Sequence, residues 1–528
     1  MIGVNAVFSV GANQDMKDAT KMIADFDQGG LGLPERDYYF RTDAKSVELR
    51  KAYVEHIQKM FELAGEPAAK AATDAKTVMS FETALAKASL DVVSRRDPNK
   101  LYHVMTVADL QKLTPTFAWN RYFTTVDAPK VTAMNVDVPE FFKGMESLVQ
   151  TTPLDTWKAY LRSQTLSASA KMLPEKFVDE SFNFYGKTLT GTKELRPRWK
   201  RCVAYTDGDL GEALGQAFVE KAFAGDSKEK TLKMVHDIEK AMSADIDQID
   251  WMTPETKKAA HEKLEKVANK IGYPDKWRDY STLKIVRGDA LGNSLRANEF
   301  EFKRQMNKIG KPVDKQEWGM TPPTVNAYYN PQMNDINFPA GILQPPFYIN
   351  GRDDAYNYGG VGAVIGHELT HGFDDEGRQF DGNGNLRNWW TTADNKAFDQ
   401  RGECIVNEYS NFVAVDDVKL NGKLTEGENV ADNGGLRLAL MAALANLSDN
   451  NKGKVDGYTP EQRVFLGFGQ IWCSNETPES KRMLAQVDPH SQPKYRVNGT
   501  VSNMPEFEKA WGCKPNAPMV RKNACRVW

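Results

Sequence analysis

The sequence predicts a mainly α-helical protein of the α+β kind, built as two lobes. Its 528 residues are more than one hydrophobic core usually organises. The first half repeats apolar residues at three- and four-residue spacing, as amphipathic helices do. From about Thr321 the composition shifts to β-branched and aromatic residues interrupted by prolines, which favours short strands and turns. We expect a helical lobe over residues 1–295 and a second lobe over residues 296–528.

Residues from Met1 to about Ala290 have a mostly helical pattern. One of the helices has a capped start, with Thr253 as N-cap and Pro254 in the first turn, and it ends before Gly272. The predicted helices are Val47–Leu63, Ala68–Leu90, Val138–Leu161, Glu212–Phe223, Lys228–Ile249 and Thr253–Ile271.

Short extended segments follow Thr321. Thr324–Tyr329 has strand composition, Asn334–Pro339 is a second extended segment, and the two prolines of Ala340–Ile349 exclude a helix there. A strand such as Thr324–Tyr329 can bind an extended peptide through main-chain hydrogen bonds. The same segment could equally be part of an ordinary core hairpin.

The most informative stretch is HELTH at residues 367–371. His367 and His371 are four apart, so on a helix they share one face and can bind one Zn²⁺. Glu368 lies between them, where it can reach a water on the metal and act as a general base. Gly366 is a poor helix former, and we expect it to leave room for a group that approaches the metal. The pattern alone is short, and a surface helix with these residues is the alternative.

A catalytic zinc needs a third protein ligand. Glu428 and Asp432 stand four apart at the head of an Ala- and Leu-rich helix, where buried carboxylates require partners. We assign Glu428 as the third ligand and expect Asp432 to accept the second ring N–H of a zinc-binding histidine. Asp374, three residues after His371, is placed to do the same for that histidine. The alternative is that Glu428 and Asp432 only favour a helix N-terminus.

Two polar side chains in the loop-like segment DPHSQPKYRVNGTVSN are further candidates. His490 could stabilise an oxyanion formed from a carbonyl. Arg496 could hold a substrate carbonyl or carboxylate. Both could instead be plain loop residues.

Composition excludes several classes of protein. A net charge of −3 and a pI near 6.3 give no electrostatic basis for nucleic-acid binding. No apolar run has the length of a membrane span, and the first residues do not form a signal peptide. The five cysteines include no CxxC pair, and each is either a free thiol or half of a disulfide.

Separated motifs together resemble the neprilysin family of zinc endopeptidases, which includes endothelin-converting enzyme and bacterial oligopeptidase O. The resemblance covers nearly the whole chain. It implies a thermolysin-like catalytic lobe and a helical lid that enclose a central cavity. The motifs are, in order, GLGLPERDYY, VNAYYNP, FPAGILQPPF, GHELTHGFDDEGRQFD, ENVADNGGL, DPHSQPKYRVNGTVSN and CRVW.

The resemblance also implies a role for individual residues. It implies one zinc per chain, bound by His367, His371 and Glu428, with Glu368 as the base. It places Asp432 and His490 in the catalytic machinery, with His490 at the oxyanion. The implied substrate contacts are made by Asn326 and Ala327 to the peptide backbone, by Arg496 to substrate carbonyls, and by Ile342, Phe347, Val364 and Trp472 to the residue after the scissile bond.

The chain also departs from the family pattern. Family members carry roughly a hundred more residues ahead of Met1, so we expect the N-terminal part of the fold to be missing, and with it recognition of a substrate's C-terminal carboxylate. The resemblance implies a Cys404–Cys525 disulfide and leaves Cys202, Cys473 and Cys513 with partners in the missing part. It also implies a location outside the cytoplasm, as periplasmic, secreted or surface-anchored.

The predicted function is hydrolysis of peptide bonds in short peptides, with a hydrophobic residue preferred after the scissile bond and Glu368 assisting attack by a zinc-bound water. Two alternatives stay open. One is a peptide-binding or scaffolding protein with a relic zinc site, and the other is a zinc enzyme that acts on a non-peptide amide or ester. The sequence does not predict the physiological substrate or the oligomeric state.

Overall fold

A computed structural model describes residues 3–4, 6–223 and 225–528. The chain forms two compact units, and each is assembled from separate stretches of sequence. The first comprises Met1–Tyr205, Asp279–Val313 and Thr477–Met483, and the second comprises Thr206–Arg278, Asp314–Glu476 and Leu484–Trp528.

This division does not follow the expected single boundary near residue 295. The helix Ser227–Gln248 packs against the helix Glu426–Asn446. The strand Ala268–Gly272 pairs with the strand Asp335–Pro339. Residues 206–278 therefore belong to the second unit because their apolar faces and strand hydrogen bonds find partners there.

The first unit is largely helical and has a four-stranded sheet. Its strands are Phe8–Asp15, Asp18–Gln28, Val104–Met105 and Met134–Val136. Its α-helices are Ala44–Leu63, Ala68–Ala88, Pro98–Leu101, Val107–Leu113, Trp119–Thr125, Pro139–Thr151, Leu154–Ser169, Glu175–Ser181 and Ala290–Met306. Two further helices, Arg198–Ala222 and Pro478–Val487, contribute residues to both units.

Two features of this unit differ from the helical prediction. Phe8–Asp15 and Asp18–Gln28 form an antiparallel hairpin, in which Phe26 is fully buried. The predicted helix Val138–Leu161 is two helices, because Pro153 cannot donate a backbone hydrogen bond and the chain turns before it.

In the second unit, helices and small sheets pack around a large apolar core. A three-stranded sheet places Asp335–Pro339 between Ala268–Gly272 and Tyr328–Asn330, and a two-stranded sheet pairs Val413–Val415 with Val418–Lys419. The helices are Ser227–Gln248, Pro254–Leu264, Asp354–Asn357, Ala363–His371, Thr392–Tyr409, Glu426–Asn446, Pro460–Ile471, Pro493–Ser502 and Pro505–Trp511.

Two predicted elements of this unit are shorter than expected. The helix that starts at Pro254 ends at Leu264, and its predicted last turn is instead the strand Ala268–Gly272, since parallel pairing with Asp335–Pro339 satisfies that backbone. The strand predicted over Thr324–Tyr329 is Tyr328–Asn330, because only these residues pair with the neighbouring strand. Among the described residues, none of the helices combines the length and the apolar character needed to span a bilayer.

Candidate metal centre

The helix Ala363–His371, called here the HELTH helix, follows a π-helical turn at Tyr358–Gly362. Ile365 and Leu369 are buried in the core and fix the orientation of the helix. The opposite face carries the polar residues. His367 is 7% and Glu368 5% exposed, so both lie almost entirely out of bulk water.

The HELTH helix packs directly on the helix Glu426–Asn446, called here the ENVAD helix. Glycine makes the contact close on both sides. A Cβ on Gly366 would lie 2.4 Å from the carbonyl oxygen of Gly435, and a Cβ on Gly435 would lie 2.4 Å from the amide nitrogen of His367. Gly366 therefore leaves room for the ENVAD helix rather than for a group approaching the metal.

The close helix packing brings three candidate ligands together. The ligand atoms of His367, His371 and Glu428 all lie within 4.8 Å of one another. The two Nε2 atoms are 2.9 Å apart. The Glu428 carboxylate lies 3.2 Å from Nε2 of His367 and 3.6 Å from Nε2 of His371.

The other ring nitrogens of both histidines are held by carboxylates. Nδ1 of His367 is 2.8 Å from Asp432, and Nδ1 of His371 is 2.7 Å from Asp374. If each Nδ1 donates its proton, the two Nε2 lone pairs face each other beside a carboxylate. Oε2 of Glu428 is buried, and although Nε2 of His367 and Nε2 of His490 lie 3.2 and 3.3 Å from it, neither forms a hydrogen bond of good geometry to it. Such a set of donors can hold a cation, and two imidazoles with one carboxylate fit a tetrahedral metal with one open position.

Electrostatics favour the same conclusion. Burial opposes protonation of His371, but the charges of Glu428 and Asp374 raise its pKa to about 10. Burial also opposes ionisation of Glu428, yet the three histidines around it hold its pKa well below the ordinary value. The negative potential that stabilises a proton at this point would equally stabilise a metal ion. Burial raises the pKa of Glu368, which His367 and His371 partly offset.

Asp432 also anchors Arg496. The guanidinium donates to this carboxylate through Nε and Nη2, both at 2.7 Å, and it lies 4.0 Å from the ring centre of Trp472. Nη2 is also 3.4 Å from Nδ1 of His367. Nη2 is also 3.7 Å from Oε2 of Glu428, so Asp432 holds Arg496 beside the candidate ligands, with its side chain 8% exposed.

His490 lies at the edge of the ligand cluster. Its Nε2 is 3.3 Å from Oε2 of Glu428, and its Nδ1 is 2.7 Å from Asp488. Asp488 also accepts the backbone N–H of His490. Burial opposes ionisation of Asp488, but the hydrogen bonds from His490 lower the Asp488 pKa.

One cleft of about 460 Å³ in the second unit is lined by the three candidate ligands and Glu368, together with the polar side chains of Asp374, Asp432, His490 and Arg496. The cleft brings together every predicted zinc ligand, the predicted base, His490 and the predicted substrate contacts. Asn326 and Ala327 precede the strand Tyr328–Asn330 rather than lying within it. The cleft residues predicted for binding substrate are Asn326, Ala327, Ile342, Phe347, Val364, Trp472 and Arg496.

Sequence reasoning missed two residues that support the centre. Asp488 could have been found, since an Asp two residues before a His often forms a local hydrogen bond to it. Lys263 gives no such signal, because the hydrogen bonds of its Nζ are all to residues more than a hundred positions away.

The predicted disulfide between Cys404 and Cys525 is confirmed. It joins the helix Thr392–Tyr409 to the last residues of the chain. Cys202, Cys473 and Cys513 form no disulfide within the part of the chain that the structure describes.

Comparison with known proteins identifies the family. Two sequence profiles, both described as Peptidase family M13, match residues 1–274 and 326–527. The chain belongs to peptidase family M13. Endothelin-converting enzyme 1 of Mus musculus is 37% identical to this M13 peptidase over 541 residues, which cover 99% of this chain and 69% of that enzyme.

Solved structures agree with this assignment. The crystal structure of Mycobacterium tuberculosis zinc metalloprotease Zmp1 in complex with an inhibitor has a TM-score of 0.96 at 39% identity, over 100% of this chain and 81% of that one. PepO from Lactobacillus rhamnosis HN001 has a TM-score of 0.90 at 27% identity, over 99% of this chain and 81% of that one. The predictions of a mainly helical, two-lobed M13 fold and of a zinc metalloendopeptidase are therefore confirmed, and peptides are its class of substrate.

Proposed function

We propose that this M13 peptidase hydrolyses short peptides with one zinc ion per chain, bound by His367, His371 and Glu428. The observation that carries the proposal is the convergence of three ligand atoms within 4.8 Å, beside a buried Glu368. Asp432 and Asp374 hold the Nδ1 atoms, so that each imidazole offers Nε2 to the metal.

When bound, zinc supplies Lewis acidity, which acidifies water and polarises a peptide carbonyl. Glu368 takes one proton from the attacking water, whose oxygen forms a bond to the carbonyl carbon. The C–N bond then breaks, and Glu368 gives the proton to the leaving amine. Burial raises the pKa of Glu368, so the carboxylate is a stronger base than an exposed glutamate.

His490 is the group that we assign to the oxyanion. Nδ1 of His490 is engaged by Asp488, and Nε2 faces the ligand cluster. Asp488 therefore fixes the orientation of the ring, with Nε2 on the side of the ligand cluster. From this position an Nε2–H group would stabilise negative charge on the carbonyl oxygen.

The lining of the cleft supports the substrate contacts that we propose. We assign the backbone of the substrate to Asn326 and Ala327, beside the edge strand Tyr328–Asn330. Arg496 uses Nε and Nη2 for Asp432, which assigns Nη1 to a substrate carbonyl. The apolar side chains of Ile342, Phe347, Val364 and Trp472 favour a hydrophobic residue after the scissile bond.

The Cys404–Cys525 bridge supports a location outside the cytoplasm, where disulfides persist. We propose this location for the chain, in agreement with the expectation from its sequence.

The test of the proposed function is the substitution Glu368→Gln. We expect the variant to bind one zinc per chain, as the unaltered protein does, because Glu368 is not a ligand. Its kcat for a short quenched peptide should fall by at least about 10³, since the amide cannot accept a proton. Zinc content and peptide turnover are measured on the same samples, before and after treatment with a chelator.

The matched control is Glu376→Gln, which removes a carboxylate from the same cleft. Its kcat should stay within about threefold of the unaltered protein, because this residue has no part in the proton transfer. Turnover by zinc-loaded Glu368→Gln would refute the role of Glu368. Zinc binding with no peptide cleavage by the unaltered protein would favour a peptide-binding protein, and hydrolysis of an ester but not of the corresponding peptide would favour a non-peptide substrate.

A further inference from the structure

A buried lysine lies behind the candidate metal centre. Lys263 belongs to the helix Pro254–Leu264 and is 1% exposed. Its Nζ donates to the backbone carbonyls of Gly372, Gly377 and Phe380 at 2.5, 2.8 and 2.8 Å. An ammonium has three N–H donors, so the three carbonyls satisfy all of them.

Three aromatic rings complete the environment of the ammonium. Nζ lies 5.4 to 5.9 Å from the ring centres of Tyr329, Phe373 and Trp389. Burial lowers the pKa of Lys263, and the carboxylates of Asp374 and Asp381 oppose that shift. A buried charge is costly unless its partners are well placed, so this arrangement requires an explanation.

The three carbonyls belong to one short loop, residues 372–380, which leaves the HELTH helix. Asp374 lies inside this loop and is 4% exposed. One of its oxygens faces Nδ1 of His371 at 2.7 Å, and the other accepts the backbone N–H groups of Glu376 and Gly377 at 2.9 and 2.7 Å. The path of the loop therefore sets the position of the carboxylate that orients His371.

The loop lies directly against the C-terminal end of the HELTH helix. A Cβ on Gly377 would lie 1.8 Å from the carbonyl oxygen of His371, so the loop backbone packs against the end of the HELTH helix. The carbonyls of Gly372, Gly377 and Phe380 point inward at one place, as carbonyls do around a bound cation. The Lys263 ammonium occupies that place.

We infer that Lys263 is a positioning residue of the metal centre, whose ammonium fixes the 372–380 loop so that Asp374 holds His371 with Nε2 toward the metal. The inference rests on the proposed zinc site, but it does not depend on turnover. Lys263 is not itself among the residues that line the cleft or bind the metal, and it acts through Asp374. A purely structural lysine would affect the stability of the fold without affecting the affinity for zinc.

The experiment compares Lys263→Met with Arg463→Met. Arg463 is a matched control, because it is also fully buried and donates to three backbone carbonyls, those of Asn451, Gly453 and Tyr458. Zinc dissociation constants are measured by competition with a chelator, and thermal unfolding is measured on the metal-free proteins. We expect both variants to lower Tm, whereas only Lys263→Met weakens zinc binding, by about 10- to 100-fold.

A second pair of variants covers the case in which Lys263→Met does not fold. Lys263→Gln keeps two N–H donors and is expected to bind zinc with intermediate affinity. In an Asp374→Asn background, adding Lys263→Gln should weaken zinc binding by less than a further threefold. The reason is that Asp374→Asn has already weakened the contact with His371 that Lys263 supports. If the loss of zinc affinity in the double variant equals the product of the losses in the two single variants, Lys263 does not act through Asp374.

The outcomes separate this inference from the proposed function. Unchanged zinc affinity in Lys263→Met and Lys263→Gln, with a lowered Tm, would overturn the inference and leave the peptidase proposal intact. Zinc binding without peptide hydrolysis in the unaltered protein would overturn the peptidase proposal, while the affinities would still test Lys263. An unaltered protein that binds no zinc would overturn both.

Discussion

Each of three histidines in the cleft has a carboxylate at its Nδ1. Asp432 faces His367, Asp374 faces His371 and Asp488 faces His490. A carboxylate at Nδ1 fixes the tautomer and the ring orientation, and it makes Nε2 of a ligand more basic. The chemistry assigned to each histidine therefore depends on an acidic residue that need not touch the substrate.

The pair formed by Asp488 and His490 gives a kinetic prediction. His490→Ala should lower kcat by about 10² to 10³, the usual cost of losing an oxyanion donor. Asp488→Ala should lower kcat less, by about tenfold, because the imidazole remains but loses its orientation and the nearby charge. KM and zinc content should change little in both variants, since neither residue is a ligand. These values are measured by steady-state kinetics on a short peptide, with the zinc content determined on the same samples. A rise in KM with an unchanged kcat would contradict the roles assigned to His490 and Asp488.

A buried carboxylate in the first unit predicts a dependence of stability on pH. Glu82 is fully buried and accepts hydrogen bonds from the hydroxyls of Tyr39 and Tyr53, the backbone of Gly32 and the amide of Gln164. Burial raises the pKa of Glu82 to about 7, although these hydrogen bonds lower it. The native state therefore holds a proton that the unfolded chain has lost at intermediate pH.

The sign follows from this difference in pKa. The stability that the Glu82 proton contributes is fully present below pH 4.5 and is lost as the pH rises through about 7. Glutamine does not titrate, so between pH 5 and pH 8 the free energy of unfolding should fall less in Glu82→Gln than in the unaltered protein. The difference between the two losses should reach up to about 3 kcal/mol. Urea unfolding at both pH values measures this, and Glu48→Gln, at an exposed position, is the control. Parallel pH profiles for the unaltered protein and Glu82→Gln would show that Glu82 does not titrate in this range.

At the scale of elements, the sequence predicts helices well where an apolar stripe repeats. Ala68–Leu90 was predicted and Ala68–Ala88 is observed, and Lys228–Ile249 corresponds to Ser227–Gln248. The sequence predicts Ala268–Ile271 as the end of a helix, but these residues belong to the strand Ala268–Gly272, whose partner Asp335–Pro339 lies far away in sequence. Local periodicity carries no information about such a partner.

The candidate site was predictable for a similar reason. His367 and His371 sit at helical spacing, and so do Glu428 and Asp432, so each helix presents its polar pair on one face. The close packing between the two helices could not be predicted from spacing. It depends on Gly366 and Gly435, whose role is visible only when both backbones are in place.

This packing predicts the effect of one added methyl group. In Gly435→Ala the new Cβ would lie 2.4 Å from the amide nitrogen of His367, so the two helices must separate. We expect a loss of about 1–3 kcal/mol in stability and at least a tenfold loss in zinc affinity, because Glu428 moves away from the histidines. Gly469→Ala is the control, since a Cβ there meets nothing within 4 Å and alanine favours a helix. A Gly435→Ala variant with normal zinc affinity would show that the helices tolerate separation.

At the scale of the whole molecule, each unit is discontinuous in sequence. The second unit collects residues from three stretches, and the disulfide joins Cys404 to Cys525 across 121 positions. In the chain-entropy model, closing such a loop lowers the entropy of the unfolded chain and raises its free energy by about 4–5 kcal/mol. Composition shifts along the sequence could not predict this organisation, because they mark changes of element type and not the order in which segments pack.

The discontinuity predicts which fragment can carry the metal centre. Residues 296–528 contain all the candidate ligands but lack the strand Ala268–Gly272, the helix Ser227–Gln248 and Lys263. We expect this fragment to remain unfolded, since Asp335–Pro339 loses its parallel partner and the ENVAD helix loses part of its apolar cover. Residues 206–528 keep these elements and should fold and bind zinc. The two fragments are compared by circular dichroism, thermal unfolding and zinc titration. If residues 296–528 unfold cooperatively and bind zinc as tightly as residues 206–528, the catalytic unit begins near residue 295.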